Sequence, residues 1–253
     1  VTAGTDPDPA ATPSSSVEDG GFVPPRSEDA LAGLTMPLVE AMETQRAVRR
    51  LHLDPVPHDV LLRVLELALK APTSSNSQDW SFVVVEDRAV KAKLAKQWRS
   101  LHRIVLPIAK RDAKGDPKAQ RGMQPGLWQA EHFEDLPVFV IPCYRKTMRH
   151  RPTGRPQITV ASFYGSVFPA VQNLLLACRA VGLGASLQTL PIWNVRGTQR
   201  ILGLPKDLRP ACIVPIGWAK GRYGPTTRPP IGEVVHLDAY GNRPFLTGDA
   251  DPS

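Results

Sequence analysis

Helices and strands alternate between residues 36 and 220, which predicts one domain with a mixed sheet, of the α+β or the α/β class. Three observations carry this. Residues 58–71 and 160–181 are apolar over helical lengths. Residues 80–86, 136–144 and 211–218 are short apolar runs, too brief for helices and rich in strand formers. A chain of 253 residues is long enough to bury one sizeable core.

Taken in order, residues 1–33 are rich in Pro, Ala, Ser, Asp and Gly with almost no apolar spacing, so this tail is expected to be disordered or draped over the surface. Order is expected from about Met36, within a single domain spanning 34–253. Residues 37–46 read as a short helix. In 58–71, Arg63, Glu66 and Lys70 form one polar stripe and the rest is apolar, so that helix is expected to be mostly buried. Residues 80–86 read as a strand in the core of the sheet. A basic helix over 88–110 precedes a Gly/Pro/Lys-rich stretch, 110–126, expected to be mobile. A second strand covers 136–144. The apolar helix 160–181 ends at Gly182-Leu183-Gly184, where glycine supplies a left-handed cap. Residues 185–190 read as a short strand, 194–203 as a helix and 211–218 as the last strong strand. Beyond Gly221 the chain is Pro-rich and extended, too long for a simple end.

Composition narrows the function. No unbroken run of about 18 apolar residues exists, so no membrane span is expected. The start lacks the layout of a secretion signal, and Cys143, Cys178 and Cys212 sit in separate apolar runs, as reduced core thiols do; a cytoplasmic location is expected. The net charge of +7 is uneven: residues 1–33 carry six acids and one base. Eleven Lys and Arg fall between Arg88 and Arg121, and five more between Arg145 and Arg155. Such fields attract phosphate, of nucleotides or of nucleic acid. Nucleic-acid binding lacks its usual companions here, interleaved aromatics or a helix-turn-helix. The six histidines are scattered without ligand spacing, so no metal is expected. There is no Gly-x-Ser-x-Gly elbow and no P-loop, and Gly182-Leu183-Gly184 precedes a strand rather than opening a helix. An enzyme of this composition takes its reactive group from a cofactor.

Two segments hold the groups to grip one. In 71–80, every residue but Ala71 and Trp80 is Pro, Thr, Ser, Asn, Gln or Asp, a long connection dense in hydroxyls and amides. Residues 45–50 place Arg46, Arg49 and Arg50 at the end of the first helix; on a helix Arg46 and Arg49 point the same way and can clamp a phosphate or an electron-rich carbonyl.

This pairing, with Gln172-Asn173 to Gly184, Ile216-Gly217-Trp218 and Arg228 to His236, resembles the nitroreductase family of FMN-dependent oxidoreductases over residues 36–241. The resemblance implies an α+β fold and a homodimer with two FMN sites at its interface, the C-terminal extension swapped onto the other subunit. Arg46 and Arg228 would hold the FMN phosphate, with Gln45 and Ala47 beside it. Arg49 would support the ring electrostatically; no side-chain catalyst is implied, since the flavin N5 carries the hydride. Thr189 and Leu190 would present backbone to the ring. Pro72, Thr73, Ser74 and Asn76 of the other subunit, with Gly165, Ser166 and Phe168, would line the same cleft. The donor would be NADPH or NADH, NADPH being favoured by the basic stretch 88–121, and a nitroaromatic or quinone would be reduced in a ping-pong order. Enone reduction, reductive dehalogenation, flavin destruction and azoline oxidation in the same fold are the alternatives, with a flavin-binding protein without turnover or a nucleic-acid-binding protein as those of another class. Trp128 and Phe133 would lie beside the substrate or pin their segment to the body. The family often has Arg and Ser where this chain has Gln45 and Ala47.

Overall fold

The computed structural model describes residues 21–146 and 156–245. The acidic residues 1–20 and the bases Arg149, Arg151 and Arg155 lie outside the described residues. Helices α1 (Ser27–Ala32), α2 (Leu38–Thr44) and α3 (His58–Ala68) lead to β1 (Trp80–Val85). Two helices, α4 (Arg88–Asp112) and α5 (Pro117–Glu131), separate β1 from β2 (Val138–Arg145). Then come α6 (Pro156–Ala180), β3 (Leu183–Ala185), α7 (Val195–Leu202), β4 (Leu208–Pro210), β5 (Val214–Trp218) and α8 (Ile231–Val234).

The sheet order is β1-β2-β5-β3, with β4 also on β2. A mixed sheet was expected; all pairings among the named strands are antiparallel. The reason lies in the connections. Helices α4 and α5 pack together as an out-and-back excursion that returns the chain to the end it left, so Val85 of β1 faces Phe139 of β2. The strand 80–86 is therefore an edge of the sheet in this chain, with Val84 exposed, and the fully buried centre is β2. The expected strand 211–218 is shorter, Val214–Trp218 of β5, and β4 lies before its expected start. β4 and β5 pair along the same edge of β2 in registers one residue apart, and the extra residue is a bulge across 211–213. There the backbone of Ile213 exchanges two hydrogen bonds with Gln188. That bridge, rather than a strand over 185–190, is what holds the segment after β3.

Two apolar clusters fill the two faces. One joins α3 and α6 to Val138, Val140, Val214 and Ile216; the other joins α4 and the end of α5 to Phe133, Phe139 and Ile141. Helix α6 runs through the first cluster with Val167, Ala170, Val171, Leu174 and Cys178 buried. Its Val160–Ala180 stretch is long and apolar enough on average to cross a membrane, although Ser, Tyr, Gly, Gln and Asn interrupt it; the fold uses it as the helix between α3 and the sheet. Gly182, at φ +80°, ends it as expected. All three cysteines are buried free thiols.

Several expectations are corrected. Order begins well before Met36: Phe22 stacks on His52 with ring centroids 3.7 Å apart, and α1 buries Ala30 against α3, with Ser27 Oγ donating to Asp59. Helix α3 buries one face, Val60, Leu61, Val64 and Ala68, and exposes Leu62 and Leu69 on the other. Most of the stretch 110–126 is helical, because Asp116 caps α5 through the backbone N–H groups of Lys118 and Ala119 and Pro117 starts it with a preset φ.

A cavity lined by two arginines

Helix α2 stops at Thr44, and Gln45 is already extended at φ −64°, ψ 127°. Residues 45–52 run as a strap along the sheet: the Val48 N–H donates to Ala185, Leu51 bridges Ala219, and the His52 N–H donates to Trp218. The expected helical clamp of Arg46 and Arg49 is thus replaced by a strap, where the one-turn spacing that would bring the two guanidiniums together is absent. Close approach of strap and sheet requires glycine at 184, where a Cβ would stand 2.5 Å from Leu51 Cδ2 and 2.8 Å from Val48 Cγ1.

The C-terminal segment lies across the end of this strap. Tyr223 donates its hydroxyl to the Leu183 carbonyl at 2.7 Å, and the Arg179 guanidinium sits 4.3 Å from its ring centroid. Arg179 in turn donates to Thr44 Oγ1 and pairs with Glu40. Three residues on, both the N–H and the hydroxyl of Thr226 donate to the Glu43 carbonyl. These contacts bring the segment to the residues that follow α2. The result is a cavity of about 510 Å³ lined by Gln45, Arg46, Ala47, Leu175, Ser186, Leu187, Thr226, Thr227 and Arg228. Two guanidiniums, an amide and three hydroxyls border it, and no carboxylate is among these lining residues. That donor set fits a phosphate-bearing ligand.

Of the predicted residues, Gln45, Arg46, Ala47 and Arg228 meet here, and Arg49 is outside the lining. Thr189 and Leu190 follow Ser186 and Leu187 after Gln188; both are exposed, and their carbonyls accept from Ile192 and Trp193. The other predicted group gathers elsewhere. The Ser74 N–H donates to Ser166 Oγ at 3.1 Å, which ties the polar loop to α6, while Tyr164 stacks on Phe168. The loop is held tightly, with Ser75, Asn76 and Gln78 all near φ +52°. The small cleft beside it, lined by Ser77, Asp79, Trp80, Tyr144, Ser162, Phe163, Ser166 and Val167, is about 10 Å³. None of residues 72–76 or 165–168 lines the larger cavity, so one chain carries the two predicted groups apart.

Leu175, Ser186, Leu187, Thr226 and Thr227 line the cavity and were not predicted. The Thr226-Thr227 pair directly before Arg228 was the available signal; Leu175 is one apolar residue in an apolar helix and gave none. Phe133 is fully buried against Trp98 and Phe139, so it pins its segment to the body. Trp128 stacks on His132. Within the basic stretch, Arg88 pairs with Asp135, Arg99 with Glu134, and Lys91 donates to the carbonyls of Leu136 and Pro137. Burial lowers the Lys91 ammonium below its ordinary value.

An α+β fold with an antiparallel sheet and an arginine-lined cavity beside it is the class that the structure defines. Comparison with known proteins makes this specific. The model of the nitroreductase family matches residues 42–218, and the chain belongs to that family, within a superfamily of flavin-dependent oxidoreductases. It is 43% identical over 211 residues to a protein of Thermus thermophilus named NADH dehydrogenase, covering 79% of this chain and 97% of the relative. It is 25% identical over 198 residues to an iodotyrosine deiodinase of Thermotoga neapolitana, covering 78% and 95%. Among solved structures, an oxidized iodotyrosine deiodinase bound to FMN and 3-iodo-L-tyrosine shares the fold at a TM-score of 0.57 and 24% identity, covering 80% of this chain and 99% of that one.

Proposed function

We propose that this protein is an FMN-dependent oxidoreductase that passes two electrons from NADPH or NADH to a nitroaromatic or quinone-type acceptor. The observation that carries the reading is the convergence of Arg46 and Arg228, from opposite ends of the chain, on one cavity free of carboxylate lining. Arg46 and Arg228 hold the phosphate, with Gln45 and the Ala47 backbone beside them. Arg49 supports negative charge on the ring, and the backbone of Thr189 and Leu190 faces it. When bound, FMN supplies a centre that takes up two electrons from one partner and releases them to another. The dinucleotide leaves before the acceptor enters the same place, a ping-pong order.

The separation of the two predicted groups supports a site shared by two subunits. Pro72, Thr73, Ser74 and Asn76, with Gly165, Ser166 and Phe168, serve the other subunit's cavity. Ile231, Val234, Tyr240 and Phe245, all exposed in the single chain, cover apolar surface on the partner. NADPH was favoured on the basic stretch; its Arg88, Lys91 and Arg99 are engaged within the chain, and the 43% identical relative is named for NADH. Both donors therefore enter the test. Absorption spectra of the purified protein, before and after anaerobic addition of each, are expected to show a flavin that bleaches. A protein that stays colourless when supplied with FMN overturns the reading.

A second reading is reductive dehalogenation of a halogenated phenol, favoured by the iodotyrosine deiodinase relative, of which this chain covers 95%. Iodide release from 3-iodotyrosine by the reduced protein, compared with nitroaromatic turnover, separates the two.

A further inference from the structure

We propose that Gln129 and Gln97 are positioning residues that fix the loop 186–192, which enters the cavity wall at Ser186 and Leu187, and so set the redox environment of a ring bound there. The ring's presence rests on the FMN reading above; the fixing of the wall does not.

Among the described residues, four polar or charged side chains are buried: Lys91, Gln129, Ser186 and Thr198. Lys91 caps carbonyls at the start of β2. The other three belong to two networks that grip a single loop. Gln129, near the end of α5, is fully buried. Its Nε2 donates to Ser186 Oγ at 3.4 Å, and its Oε1 accepts from Gln188 Nε2. Gln188 Nε2 also donates to Ser186 Oγ, while its backbone is fastened on both sides to Ile213. Ser186 itself lines the cavity, with Leu187 next to it.

From the other direction, Gln97 of α4 donates through Nε2 to the Pro191 carbonyl at 3.0 Å and to Thr198 Oγ1 at 2.8 Å. The Gln97 carbonyl accepts from Trp193 Nε1 at 3.0 Å. Gly197 leaves the room for this amide, since a Cβ there would stand 2.4 Å from Gln97 Oε1. Two amides, one from each helix of the β1–β2 excursion, therefore bracket residues 186–192, the span that contains Thr189 and Leu190. A buried amide such as that of Gln129 is costly unless bonded, and an apolar side chain would pack there without that cost; Gln97 is half-buried. What the amides add is direction: each fixes where a particular wall atom stands.

The test compares wild type with Gln129→Leu and Gln97→Leu, first with no flavin added. Amide hydrogen exchange in the wall, Leu187, Thr189 and Leu190 above all, is expected to speed up about tenfold in either variant while β5 is unchanged. After FMN loading, affinity is expected to hold within about threefold, because Arg46 and Arg228 are intact. The flavin midpoint potential is expected to move by about 30 mV, a tenfold change in the relative binding of the two forms of a two-electron couple. Unchanged exchange and unchanged potential in both variants overturn the proposal and leave the amides as packing. Should a Leu variant lose β5 protection, Thr198→Val, which deletes the hydroxyl that Gln97 reaches away from the cavity lining, replaces it with the same expected and overturning results. If the wild type takes up no FMN, the FMN reading falls, and exchange alone decides whether the amides position the wall.

Discussion

Arg46 and Arg228 come from two remote segments to line one cavity, and in the proposed reading each holds the FMN phosphate. A charge-assisted hydrogen bond is worth about 1.5–3 kcal/mol. Replacing either arginine by Ala is therefore expected to weaken FMN binding by about tenfold or more, read by quenching of flavin fluorescence on titration. Gln45 points the other way. The family often carries Arg there, so Gln45→Arg is expected to tighten FMN by about tenfold, and an unchanged affinity would place residue 45 away from the phosphate. At the same scale, burial pushes the thiols of Cys143 and Cys212 up to about 12 and that of Cys178 higher still. All three are expected to resist alkylation in the native protein at neutral pH and to react on unfolding.

At the scale of elements, the cavity is made by docking one extended segment on another. Arg179 is the clip: it reaches Thr44 at the end of α2 and Glu40 in its first turn, and covers Tyr223 on the C-terminal segment. Arg179→Ala is expected to free residues 220–228, raise their susceptibility to protease, and weaken FMN without touching it. Gly184→Ala tests the strap. Its added methyl meets Leu51 and Val48 inside contact distance, an overpacking expected to cost about 1–3 kcal/mol in urea denaturation.

The excursion helices carry their own pH dependence. A side-chain hydrogen bond from Arg99, outweighing desolvation, holds the Glu134 carboxyl below its ordinary value of 4.5. A lowered folded value means that the pair's contribution is complete above the ordinary carboxylate range and is lost as pH falls through the lowered value. Glu134→Gln is expected to flatten the acid limb of the stability curve, measured as denaturation midpoints at successive pH.

For the whole molecule, the largest consequence is assembly. Leu38, Val39 and Met42 on α2, and Ile231, Tyr240 and Phe245 near the C-terminus, are exposed in the single chain, and the proposed dimer would cover them. Light scattering of the full chain is expected to report a dimer. A chain ending at Arg228 is expected to be monomeric and to bind FMN poorly, although it keeps Arg46 and Arg228. Tight FMN binding by that truncated monomer would show that one chain suffices.

Local chemistry, repeated along the chain, was legible without coordinates. The apolar runs located α3, β1, β2 and α6, because burial demands apolar residues at a period that the backbone sets. Gly182 and Gly203 marked helix ends; Arg46 stood out in a cluster of three arginines, which suits a phosphate, whereas Arg228 came only from the family resemblance. Tertiary structure decided the rest. Residues 45–50 are as compatible with a helix as with a strap, and hydrogen bonds to β3 and β5, far along the chain, made them a strap. Residues 110–126 looked mobile from their Gly, Pro and Lys, yet the Asp116 cap and packing against α4 made most of them helix. Ser186, Gln129 and Gln97 carried no pattern at all. Their meaning is a set of distances between remote segments, and side-chain spacing along a chain does not encode distance across a fold.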